Sequence, residues 1–199
     1  ALEGRDPDEG LTAVVMRDVG LQDSHWNFLA SLSSGEPFGS CLMDLATGLS
    51  SATDGPLVIA YDDGDSRVSA GPLPPAFAGI RGDGQVDTHP TAPWTVAMRT
   101  LQPAWSRLDA LPPALVPQAE ALGAAACIAV PVIDPGSGFP AMVVQYPPHP
   151  AMGPVLMEAL SRRPRQAVAL ALERRHDLRQ LEHLAHHDDL SGLANRAHF

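Results

Sequence analysis

The sequence of 199 residues has few cysteines, few basic residues and no long apolar run. Its two cysteines, Cys41 and Cys127, lack metal-ligand spacing, which indicates buried thiols in a reducing cytosol rather than a disulfide framework. The balance of 13 basic to 23 acidic residues, a net charge of −10, argues against binding to nucleic acid or an anionic membrane. No run approaches the roughly 20 apolar residues that span a bilayer, and residues 1–10 show no signal-peptide pattern. We therefore expect a cytoplasmic protein.

Catalytic signatures are also missing. There is no catalytic triad, Walker loop or dinucleotide-binding glycine pattern. A cluster of histidines and carboxylates near the end of the chain has spacing that a metal would fit, but a helix C-terminus explains the same residues. It consists of His183, His186, His187, Asp188 and Asp189. We expect no metal site and no enzymatic activity in this chain.

The hydrophobic content of 45% is enough for a packed core. Apolar spacing predicts a helix over 24–34 and a second, starting near Pro37, whose apolar face carries Phe38, Cys41, Leu42, Leu45 and Leu49. Two alternating segments, 57–61 and 66–71, predict an antiparallel hairpin. A short helix over 73–80 and a surface loop over 81–93 follow. The next helix is predicted over 94–101, with Thr91 or Thr95 as its cap.

The second half continues with a strand over 104–108, a helix over 112–123 that ends at Gly123, and strands over 124–133 and 139–146. A long helix from about 155 to 188 closes the chain, with Pro164 marking a kink or restart. This order predicts an α+β fold, a central antiparallel sheet with helices on its faces and a long C-terminal linker helix.

Three phrases occur in order along the middle of the chain: Leu73-Pro74-Pro75-Ala76-Phe77, then Ala97-x-Arg99-Thr100-x-Gln102-Pro103, then Ala121-Leu122-Gly123-x-Ala125 ahead of Val130-Pro131-Val132. Together they resemble the GAF family of sensory domains, between about Pro37 and Arg175. The Asn-Lys-Phe-Asp-Glu set of the family's cyclic nucleotide binders is absent, and neither cysteine stands at the bilin-attachment position. The resemblance therefore implies a GAF-like fold, while the sequence requires no cofactor.

Large or polarisable residues near the predicted sheet are the best candidates for a small-ligand cavity: Tyr61, Trp94, Met98, Trp105, Cys127 and Tyr146. The alternative is that they belong to a plain hydrophobic core. The chain has only five phenylalanines, three tryptophans and two tyrosines, so aromatic side chains gathered at one place would be informative.

The long helix carries five apolar or small residues and one arginine at alternating steps of three and four, which is the spacing of a coiled-coil seam. They are Ala167, Ala171, Arg174, Leu178, Leu181 and Ala185. This pattern predicts a parallel homodimer, and the alternative is a solvated helix packed on its own domain.

The last 13 residues place eight identities at fixed spacing directly after that helix: His187, Asp188, Leu190, Gly192, Leu193, Asn195, Arg196 and Phe199. They resemble the opening motif of the GGDEF domain, which makes cyclic di-GMP. Ser191 stands where threonine is usual and keeps the hydroxyl. The run from Thr12 to Val19 resembles the final strand of a PAS domain, or is a leader packed on the next domain.

We therefore expect residues 1–22 to be a leader or PAS tail, 23–154 a GAF-like domain, 155–186 a signalling helix and 187–199 the start of a truncated GGDEF domain. The resemblances imply a regulatory fragment of a diguanylate cyclase or cyclic di-GMP phosphodiesterase, with its GGDEF domain in cis. Either the GAF-like domain senses a small molecule, or it is a ligand-free dimerising spacer that relays a signal from an upstream PAS sensor.

Overall fold

The computed structural model describes residues 26–53, 55–62, 67–70, 89–113, 115–136, 138, 140–148 and 154–186. The motif over 187–199, the run over 12–19 and the helix predicted over 73–80 lie outside these residues. Most of the loop predicted over 81–93 lies outside them as well.

Three helices cover one face of the sheet. Helix α1 spans 26–33, α2 spans Phe38–Ala52 and α5 spans Pro154–His186. The predicted apolar face of α2 is confirmed, since four of its five members are fully buried: Cys41, Leu42, Leu45 and Leu49. Pro37, the residue before α2, has φ −55°, and this fixed angle suits the start of a helix.

The described strands form an antiparallel sheet in the order β2-β1-β5-β4-β3. They are β1 (Leu57–Asp62), β2 (Arg67–Ala70), β3 (Ala104–Arg107), β4 (Ala126–Ile133) and β5 (Pro140–Gln145). The predicted hairpin is confirmed, and Tyr61 pairs with Val68 in its register. Strands β1, β5 and β4 are central because each of them pairs on both edges, whereas β2 and β3 each pair with one described strand.

The opposite face of the sheet carries two short helices, α3 (Pro93–Thr100) and α4 (Val116–Ala121). The predicted threonine cap of α3 is wrong. The residue at that position is Ala92, with no side-chain cap, and the hydroxyl of Thr91 instead lies 3.0 Å from Nδ1 of His89. Pro93 at the first helical position has a fixed φ that suits the start of a helix, and the helix begins there without a side-chain cap.

Helix α5 is continuous for 33 residues and passes through Pro164, so the predicted restart does not occur. Pro164 removes one helical hydrogen bond, and its side chain is buried. Within the described residues, no helix is long and apolar enough to cross a membrane.

The alternation of side chains along the strands produces two hydrophobic cores. One lies between the sheet and α1, α2 and α5. The other lies between the sheet and α3 and α4. A central antiparallel sheet between helices, followed by a long C-terminal helix, confirms the predicted α+β class.

Candidate functional site

The structure divides the six predicted ligand residues between the two faces of the sheet. Trp94, Cys127 and Tyr146 are all at most 3% exposed and belong to the core under α3 and α4. Tyr61 belongs to the core on the other face. Trp105 pairs with Ile128, which belongs to the same core as Tyr61. Because directly paired residues share a face of the sheet, Trp105 lies on the Tyr61 face.

Two of the six candidates reach solvent. Met98 on α3 is 37% exposed and Trp105 on edge strand β3 is 41% exposed. Only three of the six are therefore brought together. The sequence could not show which candidates lie on which face of the sheet. For the residues on strands, the face depends on the strand register, and a shift of one residue exchanges the two faces.

Cys127 and Tyr146 form a buried, hydrogen-bonded pair in the second core. Burial raises the pKa of the Cys127 thiol far above its ordinary value, and the hydrogen bond with Tyr146 acts in the opposite direction. Burial also raises the pKa of Tyr146 well above its ordinary value, and proximity to Cys127 adds to the shift. Both groups are neutral at physiological pH, so Cys127 is an inert core thiol rather than a nucleophile.

These shifts predict that the protein loses stability in alkali. Folded Cys127 keeps its proton at pH values where the unfolded thiol has lost it, so unfolding releases a proton above about pH 9. The free energy of unfolding should then fall by about 1.4 kcal/mol per pH unit, and Tyr146 should add a second proton above about pH 10. Urea titrations from pH 7 to 11 measure this slope.

The matched control lies in the same core. Met142 is 1% exposed and does not titrate, so Met142→Ala should lower stability at every pH and leave the alkaline slope unchanged. Cys127→Ala should make the slope that begins near pH 9 shallower and leave the contribution of Cys41, a thiol whose pKa is also raised by burial. An equal slope in wild type and Cys127→Ala would contradict the assignment.

Two open depressions lie elsewhere on the described surface. One, of about 360 Å³, lies beside Arg107 and Glu120 at the end of β3. The other, of about 470 Å³, separates α1 from α2 beside Ser31 and Asp44. Neither is lined by any of the six predicted ligand residues.

A buried charged group that the sequence did not suggest lies on the α5 face. Arg175 and Asp134 are 6% and 4% exposed, and they are the buried charged side chains of the described residues. The guanidinium carbon of Arg175 lies 3.9 Å from the ring centroid of Phe38 and 4.7 Å from that of Tyr61. The Tyr61 hydroxyl donates a 2.8 Å hydrogen bond to Oδ2 of Asp134. We call these four residues the Arg175 cluster.

The sequence signals for this cluster were weak. Arg175 follows Arg174 in a helix rich in charge, and only the former is buried. Consecutive residues of a helix point about 100° apart. The rotation of the helix about its axis relative to the sheet therefore decides which of the two arginines is buried. Asp134 stood in a predicted turn, where an aspartate is commonplace.

The predicted dimer seam of α5 crosses from the core to the surface. Ala167 and Ala171 are buried against the chain's own sheet, so they have no surface to offer a second chain in this structure. Leu178 is half-buried, while Arg174 and Leu181 are exposed. A further apolar residue, Leu184, is 49% exposed and was not part of the predicted seam. Of the predicted seam, only the part from Arg174 onward is therefore available to a second chain in this structure.

Metal binding finds no support in the part of the chain that the structure describes. No group of three or more histidine, cysteine, aspartate or glutamate side chains is placed to hold an ion there. His183 and His186 lie within α5, whereas His187, Asp188 and Asp189 lie outside the described residues.

Comparison with known proteins gives a distant likeness. No protein-family model and no curated protein matches the chain. It is similar to the phycocyanobilin-bound GAF domain from a cyanobacterial phytochrome, with a TM-score of 0.46 and 10% identity over 84% of this chain and 98% of that chain. It is also similar to a phycoerythrobilin-bound GAF domain from a cyanobacterial phytochrome. The TM-score of that match is 0.43 and the identity is 9%, over 78% of this chain and 98% of that chain. These values do not assign the chain to a family.

Proposed function

We propose that this chain is the GAF-like regulatory module of a bacterial cyclic di-GMP signalling protein, and that it acts on a downstream GGDEF domain through α5. The observation that carries the proposal is the course of this helix. The buried residues of this helix lie between Met157 and Arg175, and none of residues 176–184 is buried. The sequence that resembles the GGDEF opening motif begins directly after it, at His187.

The geometry of α5 suits a transmitting element. A helix of 33 residues is about 50 Å long, and it is rigid along its axis because its backbone hydrogen bonds are internal. A change in how its first part packs on the sheet would therefore move its far end. The role of the domain is regulatory, because the chain carries no catalytic signature of its own.

A ligand-free relay is the second candidate, and the packing of the second core favours it. Trp94, Cys127, Met142 and Tyr146 are each at most 3% exposed, so protein atoms already surround the side chains that a ligand would contact. Such a module would pass on a signal from an upstream PAS sensor without binding a small molecule.

Native mass spectrometry of the purified chain separates the two candidates. A retained small molecule of defined mass would support the sensor, and its loss on replacing residues of the second core would locate the site. The mass of the polypeptide alone, after purification from several hosts, would support the relay.

The output is tested in the longer protein that contains this chain. Removing residues 23–154 should change the rate of cyclic di-GMP synthesis from GTP by about 5- to 150-fold, which is the usual range of coupling between sites. Removing residues 1–22 alone is the control for the effect of truncation. A protein that makes no cyclic di-GMP, or makes it at the same rate without the domain, would contradict the proposal.

We also propose that the chain forms a homodimer through the exposed end of α5. Leu181 is 62% exposed and would be buried once in each subunit. Burying one leucine contributes about 1.5–3 kcal/mol, so Leu181→Glu should weaken dimerisation by at least about 100-fold. Sedimentation equilibrium measures this change. Met43→Glu, at a residue 40% exposed on α2, is the control and should leave the mass unchanged. A wild-type monomer at high concentration would refute the dimer.

A further inference from the structure

The Arg175 cluster joins four parts of the chain that are distant in sequence. Phe38 begins α2, Tyr61 is near the end of β1, Asp134 follows β4 and Arg175 lies in α5. The rings of Phe38 and Tyr61 meet edge to face, with centroids 5.3 Å apart. The arginine lies over both rings, so it is held by the sheet and by α2 at once.

The chemistry of the cluster makes it specific for arginine. A buried cation must be compensated by partners in the protein, because it has lost its water. The two aromatic faces provide one compensation. The carboxylate of Asp134 is linked to the same site through the hydroxyl of Tyr61. A planar guanidinium stacks on rings, whereas a lysine ammonium is a compact and strongly hydrated charge that fits this site less well.

The position of Arg175 along α5 gives the cluster its importance. Ala167, Val168, Ala171 and Leu172 precede it and are all buried in the same core. From 176 to 184, no residue of the helix is buried. Arg175 is therefore the last point at which the described part of this helix is held in the core.

The turn after β4 meets the helix at the same level. Asp134 accepts a hydrogen bond from the backbone N–H of Gly136 through Oδ1, at 3.0 Å. A Cβ added to Gly136 would lie only 2.8 Å from Nδ1 of His176. The carboxylate that bonds Tyr61 therefore also shapes a turn that packs closely against the first residue beyond Arg175.

We propose that the Arg175 cluster is a releasable clamp that decides where α5 leaves the sheet. With the clamp closed, the helix is fixed to the sheet up to Arg175. With the clamp open, the segment from 173 onward separates from the domain while the residues before Leu172 remain packed. The inference adds a regulatory device to the proposed function. Only its effect on a GGDEF domain depends on that function, since the opening itself is a property of this chain.

Amide hydrogen exchange of the whole chain, followed by mass spectrometry, tests the clamp. In Arg175→Met, exchange should rise by at least about tenfold over 173–186 and should change far less over 157–168. Arg165→Met is the control. Arg165 is an exposed arginine of the same helix that does not belong to the predicted seam, and its loss should leave the exchange of both segments near that of wild type.

A milder variant covers the case in which Arg175→Met does not fold. Tyr61→Phe keeps the ring over Arg175 and removes only the hydrogen bond to Asp134, so exchange over 173–186 should rise about threefold or more. A uniform rise over the whole chain, or no rise in either variant, would overturn the clamp. The measurement needs no GTP and no output domain, so failure of the clamp and failure of the proposed function are distinguishable.

Discussion

Replacing Gly55 with alanine should destabilise the protein by about 3 kcal/mol or more. Gly55 has φ +113°, which L side chains rarely adopt. An added Cβ would overlap the backbone oxygen of Tyr146 and lie 3.0 Å from Cα of Pro147. The backbone N–H of Tyr146 donates a 2.9 Å hydrogen bond to the oxygen of Pro56, so the two segments cannot separate without losing that bond.

The control for Gly55→Ala is Gly138→Ala. Gly138 also has a positive φ, +72°, but an added Cβ there would meet nothing within 4 Å. Its substitution should therefore cause only the strain of a left-handed residue, about 1–2 kcal/mol. Urea denaturation of both variants measures the difference, and equal losses would show that steric overlap at Gly55 contributes nothing.

Replacing Trp94 with alanine should destabilise the protein by about 3–5 kcal/mol. Its side chain is 3% exposed in the core beneath α3 and α4, and truncation leaves a cavity that neighbouring side chains only partly fill. The midpoint of urea denaturation, at constant slope, measures the loss.

Trp26→Ala is the matched control for Trp94→Ala. The same side chain is 68% exposed on α1, so its removal should change stability by about 0.5 kcal/mol or less. A loss of stability below about 1 kcal/mol for Trp94→Ala would instead mean that the core around Trp94 tolerates an empty space. That result would favour a ligand cavity at this position. The pair of variants therefore also bears on the choice between sensor and relay.

Most elements could be predicted from the sequence because their signals are local. The hairpin of β1 and β2 follows from two alternating segments around a turn, and α2 follows from apolar residues at helical spacing. The strand predicted over 124–133 begins two residues late, at Ala126. The helix predicted over 112–123 is shorter and begins at Val116, because Pro112, Pro113 and Pro117 favour turns and helix starts over helix interiors.

The candidate ligand site was harder to predict than the elements. Whether Tyr61 and Tyr146 share a face is decided by the pairing of β1 with β5 and of β5 with β4. A strand directs successive side chains to opposite faces, so residue type alone carries no information about the face. The predicted ligand role of Trp94, Cys127 and Tyr146 stays a prediction, and the structure adds that these three share one core.

The sequence by itself determined the α+β class, the amphipathic face of α2 and the existence of a long C-terminal helix, because these depend on periodicity within one segment. Tertiary structure alone decided that Arg175 is buried while Arg174 is exposed, and that Tyr61 lies between Arg175 and Asp134. The physical reason is that the phase of a helix and the register of a sheet are fixed by packing against distant segments. The place where α5 leaves the sheet is therefore determined by contacts between four segments of the chain and cannot be derived from the sequence of the helix alone.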